Sequence, residues 1–119
     1  RHHELSHEQM PDRYRDAASG EPTYGEIIAC DPPRLLAFSW PGDNGKSEVT
    51  FELTPEGRDV RLVVTHRRLP DTKAMISVAS GWQAHLSILG DRLSGRPPRG
   101  FWSTHARLEE EYAKQFATP

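Results

Sequence analysis

Apolar and polar residues alternate with a period of two along Leu35–Trp40, Ser47–Thr54 and Val60–Arg67, and a further β-rich run, YGEIIAC, spans Tyr24–Cys30. Alternation of this kind is the pattern of half-buried strands. The connections DPPR, PGDNGK and TPEGRD are rich in residues that turn a chain, and prolines cannot donate to a ladder. Four short strands joined in this way predict an antiparallel meander. Burial predicts its register, because a one-residue slip would move every side chain to the other face. Pairing Leu53 with Val60, Phe51 with Leu62 and Val49 with Val64 gathers six apolar side chains on one face. It sends Glu48, Thr50, Glu52, Arg61 and Thr65 to the other. The same alternation adds Leu36, Phe38 and Trp40 to the apolar face, followed by Ile27 and Ala29.

After Pro70 the period changes. Met75, Ala79, Trp82, Leu86, Leu89 and Leu93 recur at steps of four and three, one stripe of an α-helix. Asp71 is placed to cap its start, and Gly95 with Pro97 and Pro98 supplies the exit. A helix over Asp71–Leu93 is roughly 33 Å long, enough to cross a small sheet. A sheet with one apolar face needs a cover, and this stripe is the long apolar surface available for it. RPPRGFW then reads as a proline-directed crossing. Ser103 or Thr104 would cap a second helix, whose narrower stripe Leu108, Tyr112 and Phe116 places it at the periphery. Residues 1–23 are polar and broken by Pro11, Gly20 and Pro22, a strand end followed by an excursion.

Composition narrows the function classes. A chain of 119 residues reads as one domain, residues 1–119, large enough to bury a core. Of its 15 cations only Lys46, Lys73 and Lys114 are lysines, but the net charge is −2. No general basic field draws nucleic acid, and no nucleic-acid partner is expected. No apolar run approaches a membrane span and the lone Cys30 has no partner for an internal disulfide, so a cytoplasmic protein without a membrane partner is expected.

Three sets of residues carry candidate chemistry. His3, Glu4 and His7 spell H-E-x-x-H, in which two histidines one helical turn apart bind zinc and the glutamate activates water. The polar flanks, Pro11 four residues on and the lack of an identifiable third ligand make the match fortuitous, and no metal or cofactor is expected. Trp40, His66, Trp82 and His85 fall on or beside the apolar faces of sheet and helix, as polar anchors in a greasy pocket would. The competing reading puts both histidines at the sheet rim, satisfied by backbone or water. Catalysis has little support. Cys30 has no activating neighbour legible in sequence and no G-x-S-x-G occurs. An enzyme would need His66, His85 or Glu26 as acid or base. Arg61, Arg67, Arg68, Arg96 and Arg99 read as solvated charges near turns, the last two also suited to an acidic partner, and Glu109–Glu111 as an exposed helix face.

GEIIACDPPRLLAFSW, SEVTFELTP, RLVVTHRRL, the GW inside the long helix, LSGRPPRGFW and THARLEEEY together resemble the family of activators of heat-shock-protein-90 ATPase and their homologues, within the START-like SRPBCC superfamily. The resemblance runs from about Tyr24 to Tyr112. It implies an α+β helix-grip fold, a curved antiparallel sheet wrapped around a long C-terminal helix with a cavity between them. It also implies a first strand and two short helices ahead of Arg1, about 35–50 residues by the usual domain size. Without them an exposed sheet edge would favour pairing with a second chain, so a homodimer is an expected partner state. Lining candidates for the cavity are Phe38, Trp40, Val49, Phe51, Leu62, Val64, His66, Trp82, His85, Leu86 and Leu89. The function this implies is binding of a hydrophobic small molecule. A chaperone-linked interaction module, or an enzyme acting on a hydrophobic substrate in the same cavity, are the alternatives.

Overall fold

The two-residue alternation becomes four strands in the computed structural model, which describes residues 8–14, 24–42 and 45–117. They are β1 (Ile27–Asp31), β2 (Leu35–Gly42), β3 (Gly45–Glu56) and β4 (Asp59–Arg67), antiparallel and ordered as in the sequence. Two helices follow, α1 (Thr72–Leu93) and α2 (Phe101–Ala117), and a 3-10 turn spans Asp12–Tyr14. The strands form one compact unit; the helices, with residues 8–14, form another.

Within the sheet the predicted faces hold and the predicted register does not. Leu53 pairs with Leu62, Phe51 with Val64 and Val49 with His66, two residues away from the expected pairing. Because side chains repeat every two residues, a two-residue shift leaves each on its own face. The turn causes the shift. β3 and β4 run on to a tight connection in which Glu56 opposes Asp59, and Gly57 supplies the left-handed φ of +64° that a two-residue hairpin requires. The PGDNGK loop is likewise shorter than expected, since Gly42 already pairs with Gly45. Prolines fall inside both strands, at Pro41 and Pro55, beyond the reach of β1 and β2 respectively. A missing N–H there breaks no ladder on the second side.

β1 corrects a second expectation. A bulge between Ile27 and Ala29 sets Ile27 opposite Phe38 but Ala29 opposite Ala37 and Cys30 opposite Leu36. Ala29 therefore leaves the apolar face and Cys30, an exposed free thiol, joins it. An inserted residue changes the phase of everything after it.

In the helical unit both ends of α1 follow from the sequence. The Asp71 carboxylate accepts from the Ala74 N–H at 2.8 Å. At the other end the Arg96 N–H bonds the Asp91 carbonyl at 2.9 Å and the Gly95 N–H bonds the Arg92 carbonyl at 3.2 Å. With Gly95 at φ +74°, this is a Schellman cap. The fully buried side of α1 is not the stripe of large apolar residues. It carries Ser80, Ala84, Ile88 and Asp91, whereas Met75, Leu89 and Leu93 are 40, 44 and 79% exposed. Small residues let α2 approach, and the Ser80 hydroxyl is satisfied by the Ile76 carbonyl at 2.7 Å.

The second helix is central, not peripheral. It begins at Phe101, so Phe101, His105, Leu108 and Tyr112 share one face at steps of four, three and four. Ala84, Ile88, Phe101, Trp102 and Leu108 form the core of this unit, with Met10 and Tyr112 packed on it. Phe101 and Trp102 meet edge to face at 4.8 Å, and the Tyr112 hydroxyl donates to Gln83. Ser103 and Thr104 are not caps but first-turn residues. The cap comes from far away in the chain, where the Glu8 carboxylate accepts from the Ser103 N–H at 2.7 Å, a charge suited to a helix N-terminus. Gly100 leaves the room for it, since a Cβ there would collide with that carboxylate.

Gly90 needs no such explanation. It lies inside α1 and a Cβ added to it meets nothing within 4 Å. Gly90→Ala is expected to raise stability by about 0.5–1 kcal/mol, read as a higher denaturation midpoint with an unchanged circular-dichroism spectrum.

Candidate functional site

Direct pairing across β2, β3 and β4 sets Phe38 beside Val49, Val49 beside His66, Phe51 beside Val64 and Trp40 beside Ser47. The aromatic rings cluster accordingly. Phe38 lies 5.6 Å from Phe51 and 6.3 Å from Trp40, and Trp40 lies 5.7 Å from His66. Val49, at their centre, is fully buried, while Leu62 is 36% and Trp40 41% exposed and Val64 is half-buried. All seven sheet residues expected to line a cavity thus share one face.

Sequence reasoning missed the eighth member, Ser47, although it sits on the same alternation as Val49. Its hydroxyl donates to the Trp40 carbonyl at 3.2 Å and lies 2.6 Å from His66 Nε2. The shorter contact is a hydrogen bond whose direction follows the ring tautomer: either Nε2–H donates to Oγ, or the hydroxyl turns from the Trp40 carbonyl and donates to Nε2. Burial lowers the His66 pKa from its ordinary value, so the ring is neutral at neutral pH. His66 is therefore half-buried beside the aromatic rings and hydrogen-bonded to a side chain of its own sheet face.

The helix-borne candidates belong to the other unit. Trp82 and Leu86 are half-buried on α1 and Leu89 is 44% exposed. The His85 ring lies 4.9 Å from that of Phe101, on the side of the helical core. That core has its own histidine, His105, packed 5.8 Å from Phe101 and 6.3 Å from Trp102, with Nδ1 2.9 Å from a Glu109 carboxylate oxygen. Its i, i+4 spacing from Phe101 and Glu109 was the signal available in sequence. Glu26 is no interior acid. Its carboxylate is 81% exposed and 3.8 Å from Lys46.

Four of the arginines expected to be solvated, Arg67, Arg68, Arg96 and Arg99, also pair within the chain while their side chains stay 65, 72, 61 and 44% exposed. Arg67 and Arg68 reach Glu48 at 3.1 and 3.6 Å. The Arg99 side chain makes two bonds of 2.8 Å to Asp91, its N–H a third at 3.1 Å, and Arg96 approaches at 3.4 Å. Asp91 is 4% exposed and was not singled out by any sequence pattern. The Arg99 side-chain bonds, then its backbone N–H, hold the Asp91 carboxyl well below the usual carboxylate range, and the same bonds raise the Arg99 pKa. A carboxylate in the last turn opposes the helix dipole, and the paired guanidinium offsets that.

His3, Glu4 and His7 lie outside the described residues. Among the described residues no group of three or more His, Cys, Asp or Glu is placed to hold a metal ion, and no helix is long and apolar enough to cross a membrane.

A four-stranded antiparallel meander with one uncharged aromatic face, followed by a long capped helix and a second helix, defines an α+β protein of the helix-grip class. The family described as activator of Hsp90 ATPase homolog 1-like protein matches residues 7–94, and the chain belongs to it. The solution NMR structure of a Bordetella parapertussis protein is similar at 42% identity and TM-score 0.76 over 96% of this chain. The crystal structure of CalU16 from Micromonospora echinospora is similar at 29% identity and TM-score 0.65 over 77% of it. The chain spans 61% and 57% of the lengths of those two proteins. A comparison with curated proteins returned no match.

Proposed function

We propose that this chain is a small-molecule binding module that takes a hydrophobic ligand against the aromatic face of its sheet. The observation that carries the reading is the cluster of Phe38, Trp40, Phe51 and His66 rings around Val49. Apolar walls with a few convergent polar groups are the usual form of a small-molecule site. Membership of the family supports a module of this kind. A cytoplasmic location accompanies the proposal. The test is a thermal-shift panel of aromatic, aliphatic and sterol-like compounds, followed by native mass spectrometry of the purified chain. A ligand at one hundred times its dissociation constant stabilises by about 2.7 kcal/mol, an upward shift of several degrees. Trp40→Ala is expected to weaken that shift. A panel without a single hit would remove the proposal.

Membership of the family favours a second reading, in which the chain engages Hsp90 and stimulates its ATPase. Steady-state ATP hydrolysis by Hsp90 with and without the chain separates the two, since a ligand-binding module leaves the rate unchanged.

A further inference from the structure

Pairing across the sheet divides its charges completely. Every charged residue of the four strands, including Glu48, Glu52, Arg61 and Arg67, falls on the face opposite the aromatic cluster. Among the described residues of the aromatic face, the Ser47 hydroxyl lies 2.6 Å from His66 Nε2 and 3.2 Å from the Trp40 carbonyl. A charged group brought against such a face leaves water without gaining a counter-ion, which costs several kcal/mol. Beside the rings the group able to carry charge is His66, whose burial favours the neutral ring, while the exposed Cys30 thiol lies out on β1. An sp3 hydroxyl oxygen accepts two hydrogen bonds. Whichever way the contact with His66 runs, Ser47 Oγ keeps at least one lone pair, which suits a donor. Ser47 is 7% exposed, so that donor must be a small group projecting from the ligand.

Building on the binding-module reading, we infer that the ligand class is an uncharged aromatic molecule bearing a hydroxyl, its ring against Phe38, Trp40 and Phe51 and its O–H directed to Ser47 Oγ. Ring stacking supplies the contact area, and the hydroxyl supplies orientation.

Four probes that share one ring system test this. They are 2-naphthol, 2-methoxynaphthalene, which lacks the donor, 2-naphthoate and 2-naphthylmethylammonium, each titrated at pH 7 into the isotope-labelled chain. Amide shifts are expected at Phe38, Trp40, Ser47, Phe51 and His66. 2-Naphthol should bind about tenfold tighter than either charged probe and about threefold to tenfold tighter than the methyl ether. A charged probe binding as well as 2-naphthol, an ether binding as well as the alcohol, or shifts centred elsewhere would each overturn the inference and leave the binding-module reading standing. If no probe binds up to its solubility limit, the binding-module reading falls and takes this inference with it.

Discussion

Phe101→Ala is expected to lower the stability of the helical unit by about 3–5 kcal/mol, the usual cost of emptying a buried aromatic site. Phe101 is 2% exposed and touches Trp102, His85 and His105 through its ring. Its removal leaves a void beneath Ala84 and Ile88, both essentially inaccessible, which a backbone held by the Glu8 cap and the Asp91 clamp is poorly able to collapse into. Phe116, on the same helix but 41% exposed, serves as the comparison, and Phe116→Ala should cost about 1 kcal/mol or less. Urea denaturation followed by circular dichroism at 222 nm reads both variants. Equal small effects would return α2 to the periphery and show that the Ala84, Ile88, Phe101, Trp102 and Leu108 cluster contributes little.

Asp91→Asn is expected to lower the thermal midpoint by about 5 °C, because the buried carboxylate loses its charge-assisted bonds to guanidiniums that are themselves 44 and 61% exposed. Arg99 would keep its position with an amide in place of a carboxylate, and the Arg96 and Arg99 guanidiniums would lose their shared counter-ion. The pH dependence makes the effect specific. Asp91 is held well below its ordinary value of 3.8 by hydrogen bonds from Arg99, so folding favours the charged carboxylate. Its contribution is fully present above about pH 4 and is lost progressively as pH falls toward the depressed folded value. Wild type should therefore lose stability on acidification below about pH 4 more steeply than the Asn variant, the two curves drawing together in acid. Parallel curves would mean that the clamp contributes nothing through charge.

How much of this was legible in sequence depended on the distance over which each feature is decided. The division of the sheet into an apolar and a charged face was readable from Glu48, Thr50 and Glu52 interleaved with Val49, Phe51 and Leu53, because alternation is a property of consecutive residues. The pairing of those strands was not, because the apolar pattern is satisfied equally by Leu53 opposite Val60 or opposite Leu62. Gly57 broke the tie by closing the hairpin tightly. Ala29 was misplaced for a related reason, since alternation read from sequence does not register a bulge. On α1 the large apolar stripe includes the exposed Met75, Leu89 and Leu93, yet the buried contact uses Ser80 and Ala84, whose value lies in being small. On α2 the signal in Phe101, His105, Leu108 and Tyr112 was present, and starting the helix after Trp102 hid it.

From the chain alone follow the four strands, their two faces, the capped long helix and the family they resemble, all consequences of periods and end signals that act over a few residues. Tertiary structure alone decided the register, the Asp91 clamp on Arg99, the Glu8 cap on α2 and the meeting of Ser47 with His66. Each of these joins residues separated along the chain, and hydrogen bonds and burial between such residues depend on where the backbone carries them. The aromatic face of the sheet and the imidazole on it were therefore foreseeable, but the hydroxyl that meets that imidazole was not.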